Sequence, residues 1–362
     1  MTAWEVYGYG LSGEPRGYVD VDQVGMCFPD PGGDPGRYAL KARAAAAVVR
    51  RFPSAGTRTV VVSGVLNEES LARIVEALDP VGVTFCRLRV DTEELRRRLQ
   101  RRYGPDDMAR ALTEAAEWDR YGDTHLVVDT GEGDPGQAAR RVVAAVRRAA
   151  PAARAAAAAP SVTRQAATRS NPLSPGGGRV VLICGPAAVG KSTVGSGLFQ
   201  SLPKDGRAAY LDLQQLAFLS DVPDRAPSRH QVVAGAVADL WRQYRSVGAQ
   251  DLVLTGQVEH QDDVQSYRDA LGGDPLLVCR LQADAQSLRE RSLARARGGG
   301  PALAGDALVG LSAGEAETVL HRALAQQSRL QEAELSDFVL DTAGQSADTS
   351  TQQLAAQWGV SR

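Results

Sequence analysis

The chain has 362 residues, a net charge of -2 and a pI near 6.2. It is long enough for two domains with real cores and lacks the basic excess of a nucleic-acid binder. No apolar run approaches the ~20 residues of a membrane span, and the N-terminus has no basic-then-apolar secretion signal. A cytoplasmic protein with neither a membrane nor a nucleic-acid partner is therefore expected.

From the N-terminus, Tyr18-Val-Asp-Val-Asp-Gln-Val24 reads as a strand running into a carboxylate pair, Asp20 and Asp22. Asp34-Pro-Gly-Arg-Tyr-Ala-Leu-Lys41-Ala-Arg43 follows as a helix start. Its Arg37 and Lys41 either bind an anion or form an ordinary exposed helix surface. Val60–Val65, Cys86–Arg89 and Val127–Asp129 are further short apolar runs, separated by helical segments. Between 150 and 177 the composition turns Ala/Pro/Ser/Thr-rich, with almost no large apolar residue to offset ordering entropy. This is the expected linker. Four cysteines (Cys27, Cys86, Cys184, Cys279) show no metal or redox spacing, so free core thiols are expected.

Behind the linker, Arg179-Val-Val-Leu-Ile-Cys184 reads as a buried parallel strand. It leads into Gly185-Pro186-Ala187-Ala188-Val189-Gly190-Lys191-Ser192-Thr193, which fits the phosphate-loop pattern G-x-x-x-x-G-K-[ST] at every required position. The chain has only three lysines, Lys41, Lys191 and Lys204, among its 41 basic residues. One of them closes this loop, where a compact ammonium fits and a planar guanidinium does not. Val194, Leu198, Phe199 and Leu202 then recur at helical spacing up to Pro203. In such a strand-loop-helix unit the backbone amides and helix start face phosphates, Lys191 reaches the β/γ oxygens, and Ser192 can ligate Mg²⁺.

The two halves match. Tyr18–Val24 repeats as Tyr210–Leu216 and Val60–Val65 as Leu252–Gln257, each 192 positions apart. Cys86–Arg89 repeats at Cys279–Gln282, and Val127–Thr130 at Val339–Thr342, with about 19 extra residues before the latter. Second-half strands are expected near 179–184, 208–212, 251–255, 276–281 and 337–341. The expected fold class is α/β: tandem phosphate-loop (P-loop NTPase, nucleotide-kinase-like) three-layer domains with parallel sheets. The first spans 1–149, the linker 150–177 and the second 178–362. The first copy lacks its phosphate loop and first strand, which a parallel sheet would place centrally. Such a loss costs many kcal/mol at ~25 cal/mol per Å². A start further upstream accounts for it, as does divergence into one nucleotide-binding half and one inert partner.

The phosphate loop, the strand ending in Asp212, the arginine-rich helix and the closing Asp341-Thr342 together resemble the P-loop small-molecule kinases. The relevant relatives are adenylylsulfate kinase, gluconate kinase and chloramphenicol phosphotransferase, and tandem kinase-like ATP-binding proteins of high-GC actinobacteria. The resemblance implies ATP and Mg²⁺ as cofactors and a small-molecule acceptor. Asp212 becomes a candidate base or Mg²⁺-side ligand, or a simple strand cap. Gln214 stands where the second carboxylate would be and cannot take a proton. Glu259 is a weaker nominee, and no Asp ends the third strand. Arg289, Arg291, Arg295 and Arg297 stand where the relatives carry lid arginines, with Arg291 and Arg295 the candidates for the transferring group; in so arginine-rich a chain each also reads as a solvated helix residue. The Gly298–Pro301 break after them is what a mobile lid would want, and Asp341 falls where the relatives hold the adenine base. A non-catalytic nucleotide-binding regulator or scaffold is the rival reading, favoured by Gln214.

Overall fold

The structure, a computed structural model, describes residues 2–360 apart from 12, 80, 101–104, 121–125, 132, 158–176, 204–205, 223–227 and 300–304. Most of the expected linker, Lys204, and part of the Gly298–Pro301 stretch lie outside the described residues.

The first half runs α1 (Thr2–Glu5), a π turn over Val6–Gly10, β1 (Arg16–Asp20), β2 (Cys27–Phe28), α2 (Tyr38–Arg51), β3 (Thr59–Ser63), α3 (Glu68–Leu78), β4 (Cys86–Arg89), α4 (Thr92–Gln100), α5 (Pro105–Arg120), β5 (Leu126–Asp129) and α6 (Pro135–Ala157). The second runs β6 (Arg179–Cys184), α7 (Lys191–Ser201), β7 (Arg207–Asp212), β8 (Leu219–Ser220), α8 (Arg229–Ser246), β9 (Ala249–Thr255), α9 (Gln261–Leu271), β10 (Leu276–Gln282), α10 (Ala285–Ala296), α11 (Ala313–Glu332), β11 (Phe338–Asp341) and α12 (Ala347–Gln357). Helix α6 continues into the stretch expected as linker. Local signals set the helix starts: Ser228 with Gln231, and Ser312 with Glu315, form capping boxes on α8 and α11.

The main sheet has the order β11-β10-β6-β9-β7-β2. Its first five strands are parallel, and β2 adds antiparallel to β7. The five second-half strands lie where the apolar runs put them, to within about two residues. Val180 to Cys184 of β6 are all 0 % exposed, because helices cover both faces of a central parallel strand. One face packs under α8 and α2 through Leu240, Trp241, Tyr244, Leu40 and Val48. The other packs under α7, α11 and α12 through Leu198, Leu320, Ala323, Leu354 and Trp358.

The first half forms two parallel pieces. Strands β3 and β1 pair, with β8 antiparallel on the outer edge of β1, and β4 pairs with β5. Each half thus lends a two-residue strand to the other. Arg16 and Gly17 of β1 face Ser220 and Leu219, while Ala208 and Ala209 of β7 face Phe28 and Cys27. The Tyr18 amide donates to the Phe218 carbonyl at 3.0 Å, and the Tyr210 amide to the Met26 carbonyl at 2.9 Å. All these pairs interchange under the 192-position shift that relates Tyr18 to Tyr210, so the contact is a pseudo-two-fold one. It closes two sheet edges that would otherwise present open N–H and C=O groups.

Beneath the exchanged strands α2 packs on α8. Arg51 donates twice to Asp239, with Nη2 to Oδ1 at 2.9 Å, and Arg242 reaches the same carboxylate. Burial alone would raise the Asp239 carboxyl, but these arginines hold it below the usual range. The fully buried Tyr244 donates its hydroxyl to the Val24 carbonyl at 2.6 Å, tying α8 to the first half. Tyr244→Phe leaves that carbonyl without the donor. It is expected to lower stability by ~1 kcal/mol in urea denaturation with an unchanged slope.

Candidate functional site

Strand β6 ends in mid-sheet, and Gly185–Gly190 link it directly to α7. Gly185 has φ +144°, and a Cβ there would meet the Leu281 carbonyl oxygen at 2.6 Å. Only glycine allows the backbone to turn so close to β10. Gly190, at φ +104°, starts α7. Between them Ala188 is held at φ +61°, and Val189 is buried at 0 % exposure, pinning the loop from beneath. The loop lies at the carboxyl end of the central strand, flanked by β9 and β10. The connections leaving β6 and β10 run to opposite sides of the sheet there, β6 towards β7 and β10 towards β11, as at the ligand sites of open parallel sheets.

Lys191 arches back over the loop, its ammonium donating to the Gly185 carbonyl at 3.0 Å and the Pro186 carbonyl at 2.8 Å. Burial pulls that ammonium down to about 8, with Asp212 and Cys184 pulling it back up. The Ser192 hydroxyl donates to Asp212 Oδ2 at 2.9 Å, and Asp212 Oδ1 accepts from the Gln214 amide at 2.9 Å. Asp212 therefore both caps the turn after β7 and touches the loop serine. Thr193 is exposed on the first turn of α7. Burial pushes the Cys184 thiol up to about 12, so it stays a neutral core group.

The arginines have internal partners. Arg291 Nη1 donates to the Val189 carbonyl at 2.9 Å and to Thr342 Oγ1 at 2.8 Å, and Nη2 donates to the Thr342 carbonyl at 2.6 Å. It thus ties the phosphate loop to the turn after β11. Arg295 pairs with Asp306 and donates to the Gly299 carbonyl. Arg289 pairs with Glu317 at 2.8 Å, and Arg297 donates to the Leu293 carbonyl of its own helix. Asp341 is exposed, accepting from the Ala343 amide at 2.8 Å and from Gln282 at 3.3 Å. In the first half Lys41 is buried against Asp22 at 2.7 Å. Arg37 pairs with Asp30 and donates to the Gly25 carbonyl at 3.0 Å. That stretch is an internal brace and differs from the exposed helix start its charges suggest.

Gln326 is a site residue that the residue pattern does not reveal. Its Oε1 accepts from the Ala187 amide of the loop at 3.2 Å, and its Nε2 donates to Glu259 Oε1 at 2.8 Å. Arg329 reaches the other Glu259 oxygen at 3.2 Å. Glu259 is thereby linked to the phosphate loop through a buried amide. The only sequence signal is a glutamine within the apolar stripe Ala316, Leu320, Ala323 and Leu330 of α11.

A glycine-bounded loop at a helix start, one ammonium, and a serine hydroxyl on a carboxylate could hold a phosphate chain with its cation. Among the described residues no three His, Cys, Asp or Glu side chains converge as a metal site. Among the described residues no helix is long and apolar enough to cross a membrane.

The left-handed Ala188 carries the loop's backbone strain. Ala188→Gly is expected to stabilise the protein by ~0.5–1 kcal/mol in chemical denaturation, since glycine adopts that region freely.

No protein-family model and no curated protein matches the chain. Among solved structures, it is similar to the tunicamycin resistance protein of Deinococcus radiodurans, with 20% identity over 51% of this chain and 97% of that one and a TM-score of 0.34. It is similar to a gluconokinase from Sinorhizobium meliloti 1021, with 15% identity over 51% and 94% and a TM-score of 0.33. It is also similar to shikimate kinase from Acinetobacter baumannii, with 16% identity over 50% and 92% and a TM-score of 0.31.

Proposed function

We propose that the chain binds ATP with Mg²⁺ at Gly185–Thr193 and transfers the terminal phosphoryl group to a hydroxyl of a small molecule. The observation that carries this is the hydrogen bond from Ser192 to Asp212 beside a phosphate-type loop at the end of the central strand. The loop amides and Lys191 hold the phosphates, and Ser192 and Asp212 hold the cation side. Bound Mg²⁺ supplies charge neutralisation on the β and γ oxygens. The acceptor oxygen forms the new P–O bond as the bond to ADP breaks, and its proton passes to Asp212. Arg291 sets the loop's shape through the Val189 carbonyl, and Asp341 stands at the turn that would hold the base. The second reading, a nucleotide-binding protein without turnover, is favoured by Gln214, which stands where a second carboxylate would be and cannot take a proton.

We also read the halves as two copies of one unit, spanning 1–149 and 178–362. The reading is supported by the shared 192-position shift and by local geometry. Tyr18 OH lies 2.7 Å from Ser63 Oγ, and Tyr210 OH lies 2.9 Å from Thr255 Oγ1. Asp20 accepts from the Asp22 amide at 2.9 Å, as Asp212 does from Gln214.

Nucleotide at 100 times its dissociation constant should stabilise the wild type by ~2.7 kcal/mol in thermal denaturation. Lys191→Ala should weaken binding about 10–100-fold, and equal stabilisation of both proteins would overturn the assignment. The ammonium is the binding form, so affinity should stay level up to about pH 8 and then fall as the proton is lost. The fall should approach about tenfold per unit, and Lys191→Met should abolish it in titration calorimetry. Asp212→Asn should remove ADP formation in the presence of hydroxyl acceptors while changing nucleotide affinity little. If the wild type forms no ADP with any acceptor, the non-catalytic reading stands.

A further inference from the structure

The first-half sheet is split where the second-half sheet has its central strand. Strand β3 pairs only with β1, and β4 only with β5, among the described residues. Their counterparts by position, β9 and β10, both pair with β6. With β6 taken out, the order β11-β10-β6-β9-β7 separates into the same two pieces.

Both pieces rest on one apolar bed. Val61 of β3, Cys86 of β4 and Leu126 of β5 pack into a cluster with Val6, Val128, Val142 and Val143. Helix α1 and its π turn lie against α6, in the position that α7 takes against α12 in the second half. The facing edges are open to solvent by comparison. Leu88 is 43 % exposed, whereas its counterpart Leu281 is 0 % exposed, and β3 is half-buried along its whole length. At the carboxyl end of this split Asp20 repeats the backbone arrangement of Asp212, the carboxylate that receives the loop hydroxyl of Ser192.

We propose that the gap between β3 and β4 receives one parallel strand followed by a phosphate loop, of the pattern Val180–Ser192. In the second half strand, loop and helix are consecutive, β6 running into α7, and α1 lies against α6 as α7 lies against α12. Backbone chemistry requires the strand, because β3 and β4 each present an unpaired ladder edge to the same gap. The occupant is an apolar, β-branched segment of about five residues, enough to match β3 and β4. Its loop brings a second nucleoside-triphosphate phosphate site to Asp20. This second site rests on the nucleotide reading of the first; the strand does not.

The test places a copy of this chain's residues 178–192 directly before residue 1 of the full chain. The extended protein should melt about 5 °C or more higher, and amide exchange in 59–63 and 86–89 should slow at least tenfold. A scrambled extension should change neither. A labelled peptide of residues 178–190 added to the unextended chain should bind saturably and slow the same amides. If the amides of β3 and β4 exchange as fast with the ordered extension as with the scrambled one, the strand proposal is overturned. Nucleotide stoichiometry by calorimetry should rise from one to two per chain. It should return to one when the lysine of the added loop is changed to alanine, with amide protection retained. Protection with a stoichiometry of one overturns the second phosphate site alone. Protection with no nucleotide bound at either loop refutes the nucleotide reading and leaves the strand established.

Discussion

The central strand β6 is the constraint on which the rest of the second half depends. Its five apolar residues are covered on both faces, and its ladder is closed on both sides by β9 and β10. A strand so enclosed cannot shift register without moving every side chain to the wrong face. The loop that leaves it is therefore aimed by the most rigid element available. Gly185 then turns against the Leu281 carbonyl, Val189 anchors the loop from below, and Gln326 and Arg291 hold one amide and one carbonyl of it. Preorganisation of this kind fixes the loop's backbone before anything binds to it.

The exchange of two-residue strands solves a different problem with the same chemistry. Strands β1 and β7 stand at sheet edges, and each is closed by a short antiparallel segment from the opposite half. The underlying helices α2 and α8 are rich in alanine and valine where they meet, which allows close approach across the pseudo-two-fold axis. Arg51, Asp239 and Tyr244 then tie the halves by groups that have no counterparts under the 192-position shift: Gln243, Ala47 and Phe52 occupy those positions. The axis is thus a property of backbone and small side chains, and the charged contacts across it are particular to one side.

Several features were legible in the residues alone because their physics is local. A G-x-x-x-x-G-K-[ST] run behind a five-residue apolar strand admits few conformations, and the loop stands where that pattern puts it. Alternation of apolar runs and helical segments similarly located the five second-half strands. The partners of long charged side chains were not legible. Arg291 and Arg295 carry the spacing of lid arginines, yet their partners Val189, Thr342 and Asp306 are set by how α10 meets the loops. Lys41 lies in what reads as an exposed helix start and is buried against Asp22. Gln326 is an ordinary glutamine until α11 packs beside the loop.

By itself, the sequence determined the periodicities: which stretches are strands, which are helices, and where the glycine-rich loop turns. These depend on residue size, branching and backbone freedom within a few positions of each other. Tertiary structure alone decided which edges are closed by which segments, the cross-half seam of β2 and β8, and the split between β3 and β4. It also decided which of the many arginines meets a carbonyl and which a carboxylate. Those outcomes turn on approach between residues some 200 positions apart, where a hydrogen bond forms only once two packed surfaces have come together.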